Sequence, residues 1–150
     1  MPAVLSALII LLIDQLSKII VLQNLGYGQS LPVVGPVFYI TLVCNKGIGF
    51  SIFSGCSAGM PWLSLVLLGL MIFVLAWKSN IFWQKGPLRV YFSLILAGGA
   101  SNLIDRIRLG CVVDFLDFRI WPVFNIADSA ITVGAILLTL HLFKQKALHP

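Results

Sequence analysis

The sequence contains no glutamate, and charged residues of all kinds make up only 10% of its 150 residues. A water-soluble domain carries about 25% charged residues, so this scarcity excludes an ordinary soluble protein. Hydrophobic residues account for 59% of the chain, and the mean hydropathy is +1.03. The composition therefore predicts an integral membrane protein, and the length predicts a single domain over residues 1–150.

Cysteine and histidine are also scarce. The three cysteines show no metal-ligand spacing and cannot all pair within one chain, so we interpret them as small apolar residues and leave their redox state open: Cys44, Cys56 and Cys111. Both histidines lie in or near the C-terminal tail, at His141 and His149. The net charge of +5 comes without a basic stripe interleaved with aromatic residues, so no nucleic-acid partner is expected.

Four apolar runs are long enough to cross a bilayer, at residues 3–22, 61–77, 88–104 and 126–143. Four spans place both termini on the same side of the membrane. The cations divide almost evenly between the two sides, so their number alone does not fix the orientation. We expect cytoplasmic termini, because the cations of the opposite side lie among aspartates that would retain them for a site.

The segment between the first two spans has a different composition. Glycine and proline between residues 24 and 36 are incompatible with a helix, whereas residues 37–43 are rich in β-branched and aromatic side chains. Asn45, Lys46 and Gly47 supply turn chemistry, and residues 48–53 are predicted to return as a second strand. The fold class predicted is an all-α membrane protein with four transmembrane helices and a small extramembrane β-sheet, the β-cradle, at about residues 27–57.

Two asparagine–aspartate pairs flank the segment that joins the last two spans. Asn102 and Asp105 are three residues apart, as are Asn125 and Asp128, and helical geometry would place each pair on one face. Arg106 lies four residues after Asn102 and shares that face. Both pairs belong at the same membrane surface, where a polar site is therefore expected.

Asp114 lies in the apolar run Val112-Val113-Asp114-Phe115, where a carboxyl group must find a partner or hold a proton. Two carboxylates close together share a proton, so one acts as a general base on water while the other donates to a carbonyl oxygen. Asp114 and Asp128 are the predicted pair. This chemistry requires no metal, no cofactor and no Ser, Cys or His nucleophile.

The other aspartates have simpler interpretations. Asp14 precedes Lys18 by four residues, the favourable order for an ion pair on one helix face. Asp105 beside Arg106 is interpreted as a salt-bridge or cap residue, and Asp117 near Arg119 as a solvated surface acid. By spacing alone, Asp128 has the alternative role of an acid at a helix N-terminus.

The chain resembles the lipoprotein signal peptidases (signal peptidase II), which are bacterial membrane aspartyl endopeptidases. The resemblance rests on five motifs in order: Asp14-Gln15-x-Ser-Lys18, Asn45-Lys46-Gly47-Ile48-Gly49-Phe50-Ser51, Asn102-Leu-Ile-Asp105-Arg106, Val113-Asp114-Phe115 and Phe124-Asn125-Ile-Ala-Asp128. Two positions depart from the family pattern. Gly49 replaces an alanine and Ser101 replaces a glycine, and both changes are between small residues.

The resemblance implies roles for eight residues. Asp114 and Asp128 match the catalytic dyad; Asn45, Asn102, Arg106 and Asn125 match positions that line the site and hold the substrate; Asp14 and Asp105 match supporting positions. The implied reaction removes the signal peptide of a diacylglyceryl-modified prolipoprotein just before the lipidated cysteine. The resemblance also implies contact with membrane lipid, inhibition by cyclic peptides of the globomycin type, and a multi-pass location in the bacterial inner membrane with the site near the periplasmic face.

Two alternatives from other functional classes remain open at this point. A small ion- or proton-coupled transporter would use Asp14 and Asp128 as relay residues, and it predicts acids near the bilayer midplane together with internal repeats. Four of the five acids instead lie at or beyond the ends of the predicted spans, and no repeat is visible. A non-catalytic membrane scaffold is the second alternative, but it gives the clustered aspartates and asparagines no purpose.

Overall fold

The computed structural model of the protein describes residues 2–46, 69 and 86–148, with the side chains of residues 146–148 excluded. Three helices and three strands make up this part of the chain. The helices are α1 (Pro2–Asn24), α2 (Leu88–Leu109) and α3 (Ile126–Leu148). The strands are β1 (Ser30–Val34), β2 (Phe38–Asn45) and β3 (Val112–Asp117).

Two of these helices, α1 and α3, are long and apolar enough to cross a membrane. Most of their large apolar side chains are exposed, and only three residues of α1 are buried: Asp14, Lys18 and Val21. Those three recur at intervals of four and three residues, so they form one inward face on a helix that is otherwise apolar and exposed. This inverted arrangement, with charges inside and hydrocarbon outside, suits a helix surrounded by lipid.

Helix α2 packs closely along α3, and glycines make the approach possible. A Cβ atom on Gly98 would collide with the backbone carbonyl of Ala127 and with Ile131, and one on Gly134 would lie 2.8 Å from the carbonyl oxygen of Tyr91. The close approach of α2 to α3 therefore depends on the absence of a side chain at Gly98. A Cβ atom on Gly99 would have nothing within 4 Å, so that glycine faces open space.

The three strands form one antiparallel sheet in the order β1-β2-β3. A small apolar core of Val21, Leu42, Val113 and Phe115 fastens the sheet to the C-terminal end of α1. Val113 and Phe115 point to the same face of β3, because successive side chains alternate in a strand. Asp114 between them therefore points to the opposite face, beside β2.

The β-sheet prediction is confirmed in kind, but two details were wrong. Asn45 is the last residue of β2 rather than a turn residue, and β2 pairs with β1 and with β3 from the far end of the sequence. The strand β3 was not predicted, because it is only six residues long and its partner lies far away in the sequence. The predicted strand at residues 48–53 and the predicted span at residues 61–77 lie outside the described residues.

Two helices extend beyond the spans predicted within them, at residues 88–104 and 126–143. Helix α2 continues to Leu109, where Gly110 adopts a left-handed conformation (φ 74°) and its N–H bonds to the carbonyl of Arg106. The site residues Asn102 and Asp105 thus lie within the helix, not at its end. The four-helix architecture remains a prediction.

The cysteines were interpreted as small apolar residues with their redox state left open, and two of them are paired. Cys44 at the end of β2 and Cys111 just before β3 form a disulfide, with their Cα atoms 5.6 Å apart. These residues are 67 positions apart in the sequence, so their proximity depends on the unpredicted pairing of β2 with β3. Cys56 lies outside the described residues.

Candidate active site

Asp114 lies at the centre of a buried polar cluster, although its neighbours in β3 are apolar. Its side chain is 1% exposed, and both carboxylate oxygens accept hydrogen bonds. Asn45 donates to Oδ2 at 2.9 Å, and Asn125 donates to Oδ1 at 2.7 Å. Both donors are carboxamides, so Asp114 receives hydrogen bonds without direct neutralisation by a cation in these two contacts.

Asn125 connects the two predicted dyad residues. Its Nδ2 donates to Asp114, while its Oδ1 accepts a 2.8 Å bond from the backbone N–H of Asp128. Asn125 immediately precedes α3, so the second contact is an N-cap that satisfies a free helix N–H. A single side chain therefore begins the helix that carries Asp128 and orients the carboxylate of Asp114.

Asn102 completes the connection on the other side. Its Nδ2 donates to Asp128 Oδ1 at 2.8 Å, and its Oδ1 accepts from Asn125 Nδ2 at 3.2 Å. The asparagine pairs that were predicted to share helix faces thus come together in one network, although Asn125 acts as a cap outside the helix. Asp128 occupies the first turn of α3 and also faces this network.

A buried ion cluster between α1 and α2 supports this network through Asn102. Lys18 Nζ lies 2.6 Å from Asp14 Oδ2 and 2.7 Å from Asp105 Oδ2, and it donates to Asn102 Oδ1 at 3.1 Å. The predicted ion pair of Asp14 with Lys18 is confirmed. Asp105 was interpreted as a salt-bridge residue beside Arg106, and it does form a salt bridge, but with Lys18 of α1.

Two residues that were not predicted as site residues contribute to this support. Ser101 Oγ donates to Asp14 Oδ2 at 2.7 Å, so the departure from glycine at this position adds a buried hydrogen bond. Gln15 Nε2 donates to Asp105 Oδ1 at 2.9 Å and to Ser101 Oγ at 3.0 Å. The sequence signal that could have identified Gln15 as a supporting residue is the first-helix motif, which contains both Gln15 and Lys18.

Arg106 is 9% exposed and donates weakly, at 3.5 Å, to the backbone carbonyl of Asn102. Its charge is close enough to Asp128, Asp114 and Asp105 for favourable electrostatic interaction. The structure therefore brings this predicted site residue to the edge of the carboxylate cluster, as an electrostatic neighbour.

Asp117 was interpreted as a solvated acid, and that was wrong because its side chain is buried. It accepts a 2.7 Å hydrogen bond from Thr41 and lies 3.5 Å from the guanidinium of Arg119, which also stacks on Tyr39. These contacts fasten β3 to β2 at the end of the sheet away from Asn45. Asp117 therefore belongs to the sheet and not to the carboxylate cluster.

Burial and the negative charge of Asp128 together raise the pKa of Asp114 from its ordinary value near 3.8 to about 7. Hydrogen bonds from Asn45 and Asn125 and the charge of Lys18 oppose this rise. A carboxyl group with this pKa holds or releases a proton near neutral pH, which is the property needed for general acid–base chemistry.

An apolar cavity of about 560 Å³ opens beside Asp128. Its lining is Phe118, Ile120, Trp121, Phe124, Asp128, Ser129, Thr132 and Val133. The loop between β3 and α3 supplies much of one wall, and Ile120 at its tip is 94% exposed. The arrangement places a single carboxylate at the margin of a pocket suited to an apolar ligand. Among the described residues, no three His, Cys, Asp or Glu side chains come together as a metal site.

Comparison with known proteins identifies the family. The model of the signal peptidase (SPase) II family matches residues 6–144. The lipoprotein signal peptidase of Halothermothrix orenii is 41% identical over 139 residues, covering 93% of each chain. That of Moorella thermoacetica is 43% identical over 138 residues, covering 92% of this chain and 90% of the relative.

The chain belongs to the signal peptidase II family. A solved bacterial membrane enzyme, determined by the in meso method at 2.3 Å resolution, superposes with a TM-score of 0.82 and 30% identity, covering 99% of this chain and 91% of that one. A second, at 1.9 Å resolution, gives a TM-score of 0.72 and 31% identity, covering 95% and 92%.

Family membership confirms the resemblance drawn from the five motifs. Signal peptidase II proteins are proteases of the bacterial membrane that remove signal peptides from prolipoproteins, so the protein is a hydrolase of this kind. The transporter and scaffold alternatives are thereby superseded. The family identity leaves the roles of individual residues to be argued from the cluster itself.

Proposed function

We propose that this signal peptidase II family member is an aspartic endopeptidase in which Asp114 and Asp128 are the catalytic dyad. The observation that carries the proposal is the bridge formed by Asn125, which donates to the Asp114 carboxylate and caps the helix at Asp128. Two acids on separate elements are held by one side chain, next to an apolar pocket. Cleavage occurs just before the diacylglyceryl-modified cysteine of the prolipoprotein.

The reaction uses one proton shared by the two carboxyl groups. The ionised carboxylate removes a proton from water as the water oxygen attacks the scissile carbonyl carbon, and the protonated carboxyl donates to the carbonyl oxygen. The tetrahedral intermediate collapses when a proton passes to the departing amide nitrogen and the C–N bond breaks. The raised pKa of Asp114, about 7, suits it to hold the shared proton at neutral pH.

The neighbouring polar residues bind substrate and keep the two dyad carboxyl groups in fixed positions. Asn45, Asn102 and Asn125 hold the carboxylates in fixed directions, and Arg106 adds positive charge near the developing oxyanion. Asp14 and Asp105 support these residues through Lys18. No metal or cofactor takes part in the proposed reaction.

The apolar cavity beside Asp128 receives an apolar part of the lipidated substrate, and the same shape is suited to cyclic peptide inhibitors of the globomycin type. Membrane lipid surrounds the exposed apolar faces of α1 and α3. A substrate anchored in the same bilayer then reaches the cavity by lateral diffusion.

The proposed topology has four spans with cytoplasmic termini and the site near the periplasmic face of the inner membrane. The disulfide between Cys44 and Cys111 supports this orientation, because disulfides persist in oxidising compartments and are rare in the cytosol. Both cysteines flank the site: Cys44 precedes Asn45, and Cys111 lies three residues before Asp114. Labelling of single cysteines placed at each terminus by a membrane-impermeant reagent tests it.

The decisive experiment is cleavage of a diacylglyceryl-modified prolipoprotein by purified protein in nanodiscs, with an unlipidated substrate alongside. We expect Asp114→Asn and Asp128→Asn to lose about 10²–10⁴-fold in kcat, because each loses a carboxyl group that transfers a proton. Asp117→Asn is the matched control, since Asp117 is a buried acid bound to Thr41 and Arg119. A folded dyad variant with wild-type turnover would rule out the assignment.

A further inference from the structure

Lys18 is the most deeply buried cation among the described residues, with 2% of its surface exposed, and the proposed chemistry does not use it directly. All three ammonium hydrogens have an acceptor within the cluster: Asp14, Asp105 and Asn102. Lys18 lies on α1 while both dyad residues lie beyond residue 110 in the sequence. Its contacts nevertheless lead to both of them, to Asp128 through Asn102 and to the backbone beside Asp114 through Asp105.

The two carboxylates bound by Lys18 hold the backbone on either side of the site. Asp14 Oδ1 accepts a 2.7 Å bond from the N–H of Ala127, the residue immediately before Asp128. Asp105 Oδ2 accepts a 3.2 Å bond from the N–H of Val113, the residue immediately before Asp114. Lys18 therefore links two carboxylates that play equivalent parts: Asp14 holds the backbone beside Asp128, and Asp105 holds the backbone beside Asp114.

The third contact of Lys18 fixes the direction of an amide. An ammonium group has three donors and no acceptor, so the atom of Asn102 that faces it must be the oxygen. The amide nitrogen of Asn102 then faces Asp128 and donates to its carboxylate. Without Lys18 the Asn102 oxygen keeps only the longer, 3.2 Å hydrogen bond from Asn125, so the amide is held less firmly in the direction that serves Asp128.

We propose that Lys18 is a positioning residue for hydrolysis: it sets the separation of the two carboxyl groups through Asp14 and Asp105, and it holds the Asn102 amide with its N–H toward Asp128. This inference rests on the proposed function of the dyad. Lys18 touches neither substrate nor reacting atoms. Its loss is therefore expected to lower the rate of the chemical step much more than it weakens substrate binding, which it can affect only through Asn102.

Lys18 also affects proton affinity in the site. The charged groups that interact with Asp114 come from three helices: Lys18 from α1, Arg106 from α2 and Asp128 from α3. The positive charge of Lys18 lowers the pKa of Asp114, so removal of that charge raises this pKa further. A role limited to stability would not shift the pH dependence of kcat in this direction.

The test compares Lys18→Met with wild type in nanodiscs, using the lipidated substrate and measuring kcat, KM and the pH profile of kcat. We expect kcat to fall about hundredfold, as for a small misplacement of reacting groups, with KM within about twofold of wild type. The high-pH limb of the profile should move to higher pH. Lys144→Met is the matched control, since Lys144 is an exposed lysine near the end of α3.

A second variant separates positioning from folding. Lys18→Met leaves Asp14 and Asp105 buried without their cation, whereas Asp14→Asn/Lys18→Met restores the single net negative charge that the wild-type trio carries. We expect the double variant to unfold at a temperature near that of wild type and still to show the lowered kcat. Wild-type kcat and an unmoved pH limb in either folded variant would overturn the inference.

The outcomes for Lys18 and for the dyad are distinguishable in the same assay. If wild type cleaves and Asp114→Asn does not, while Lys18→Met has wild-type kcat, only the inference about Lys18 fails. If Asp114→Asn retains wild-type turnover, the proposed dyad fails and the role of Lys18 as its positioning residue fails with it. Loss of kcat that follows the unfolded fraction in every variant would also overturn the positioning role.

Discussion

Gly98 of α2 lies directly against the backbone carbonyl of Ala127 in α3, with no space for a Cβ atom between them. Ala127 precedes Asp128 and donates its N–H to Asp14. The contact with Gly98 therefore helps to fix the position of Asp128 along the axis of α3, relative to α1 and α2. A helix–helix approach that only glycine permits therefore sets part of the geometry of the site.

Gly98→Ala should displace the first turn of α3 and reduce kcat about hundredfold, because the nearest atom in the collision belongs to the rigid backbone of Ala127. The expected loss in free energy of unfolding is about 1–3 kcal/mol, typical of overpacking. Gly99→Ala is the control: its Cβ meets open space, so activity and stability should stay near wild type. Equal effects of the two substitutions would show that close packing at Gly98 does not matter.

The pH dependence of kcat should have a high-pH limb near 7. The pKa of Asp114 is raised to about 7, so this carboxyl is protonated below that pH and loses its proton above it. The pair then carries two negative charges and no proton to donate to the substrate carbonyl. Activity should accordingly fall as pH rises through about 7, and a rate that stays constant up to about two pH units above this value would contradict the assignment.

Asn45→Ala provides a directional test of the same limb. Asn45 donates to Asp114 Oδ2 and thereby favours the ionised form, so removing it raises the pKa of Asp114 and moves the limb to higher pH. Thr41→Val is the matched control on the same strand, since Thr41 bonds to Asp117 and not to Asp114. A shift to lower pH in Asn45→Ala would be incompatible with this account.

The sequence indicated which polar residues come together better than it indicated how the chain is arranged around them. Asp114 stood out because a carboxyl group between valine and phenylalanine needs a partner, and the asparagine pairs were recognised by their spacing. The partners of each acid were harder to predict. Asp105 lies next to Arg106 in the sequence but pairs with Lys18, because tertiary contacts between α1 and α2 outweigh adjacency along one helix.

The strand β3 and the disulfide were missed for a common physical reason. The pairing of β2 with β3 joins segments that are far apart in the sequence, and no local pattern specifies a partner at that distance. Once that register is known, Cys44 and Cys111 follow as neighbours at the end of the pair. The cradle was therefore predicted as a local hairpin, whereas the described strands form a sheet that includes the segment carrying Asp114.

The disulfide should stabilise the sheet beside the dyad. Replacement by Cys44→Ser or Cys111→Ser should lower the free energy of unfolding by roughly 2–4 kcal/mol, as for a bond that closes a long loop. It should also reduce kcat, because Asn45 follows Cys44 and bonds to Asp114. Thermal unfolding with and without reductant measures the effect. Cys56→Ser is the control and should retain the bond, and identical unfolding of all three variants would contradict the prediction.

The apolar cavity offers a test of substrate binding that leaves the dyad intact. Val133 lines the cavity on α3, and Val133→Trp should fill part of it and raise KM for the lipidated substrate about tenfold, the effect of roughly 1.4 kcal/mol. Ile136→Trp is the matched control: Ile136 is exposed on the same helix and does not line the cavity. The expected pattern is a KM effect at 133 with little change at 136. Equal KM values in both variants would mean that the substrate does not occupy this cavity, whereas a fall in kcat alone at 133 would indicate that the bulky side chain displaces Asp128 instead.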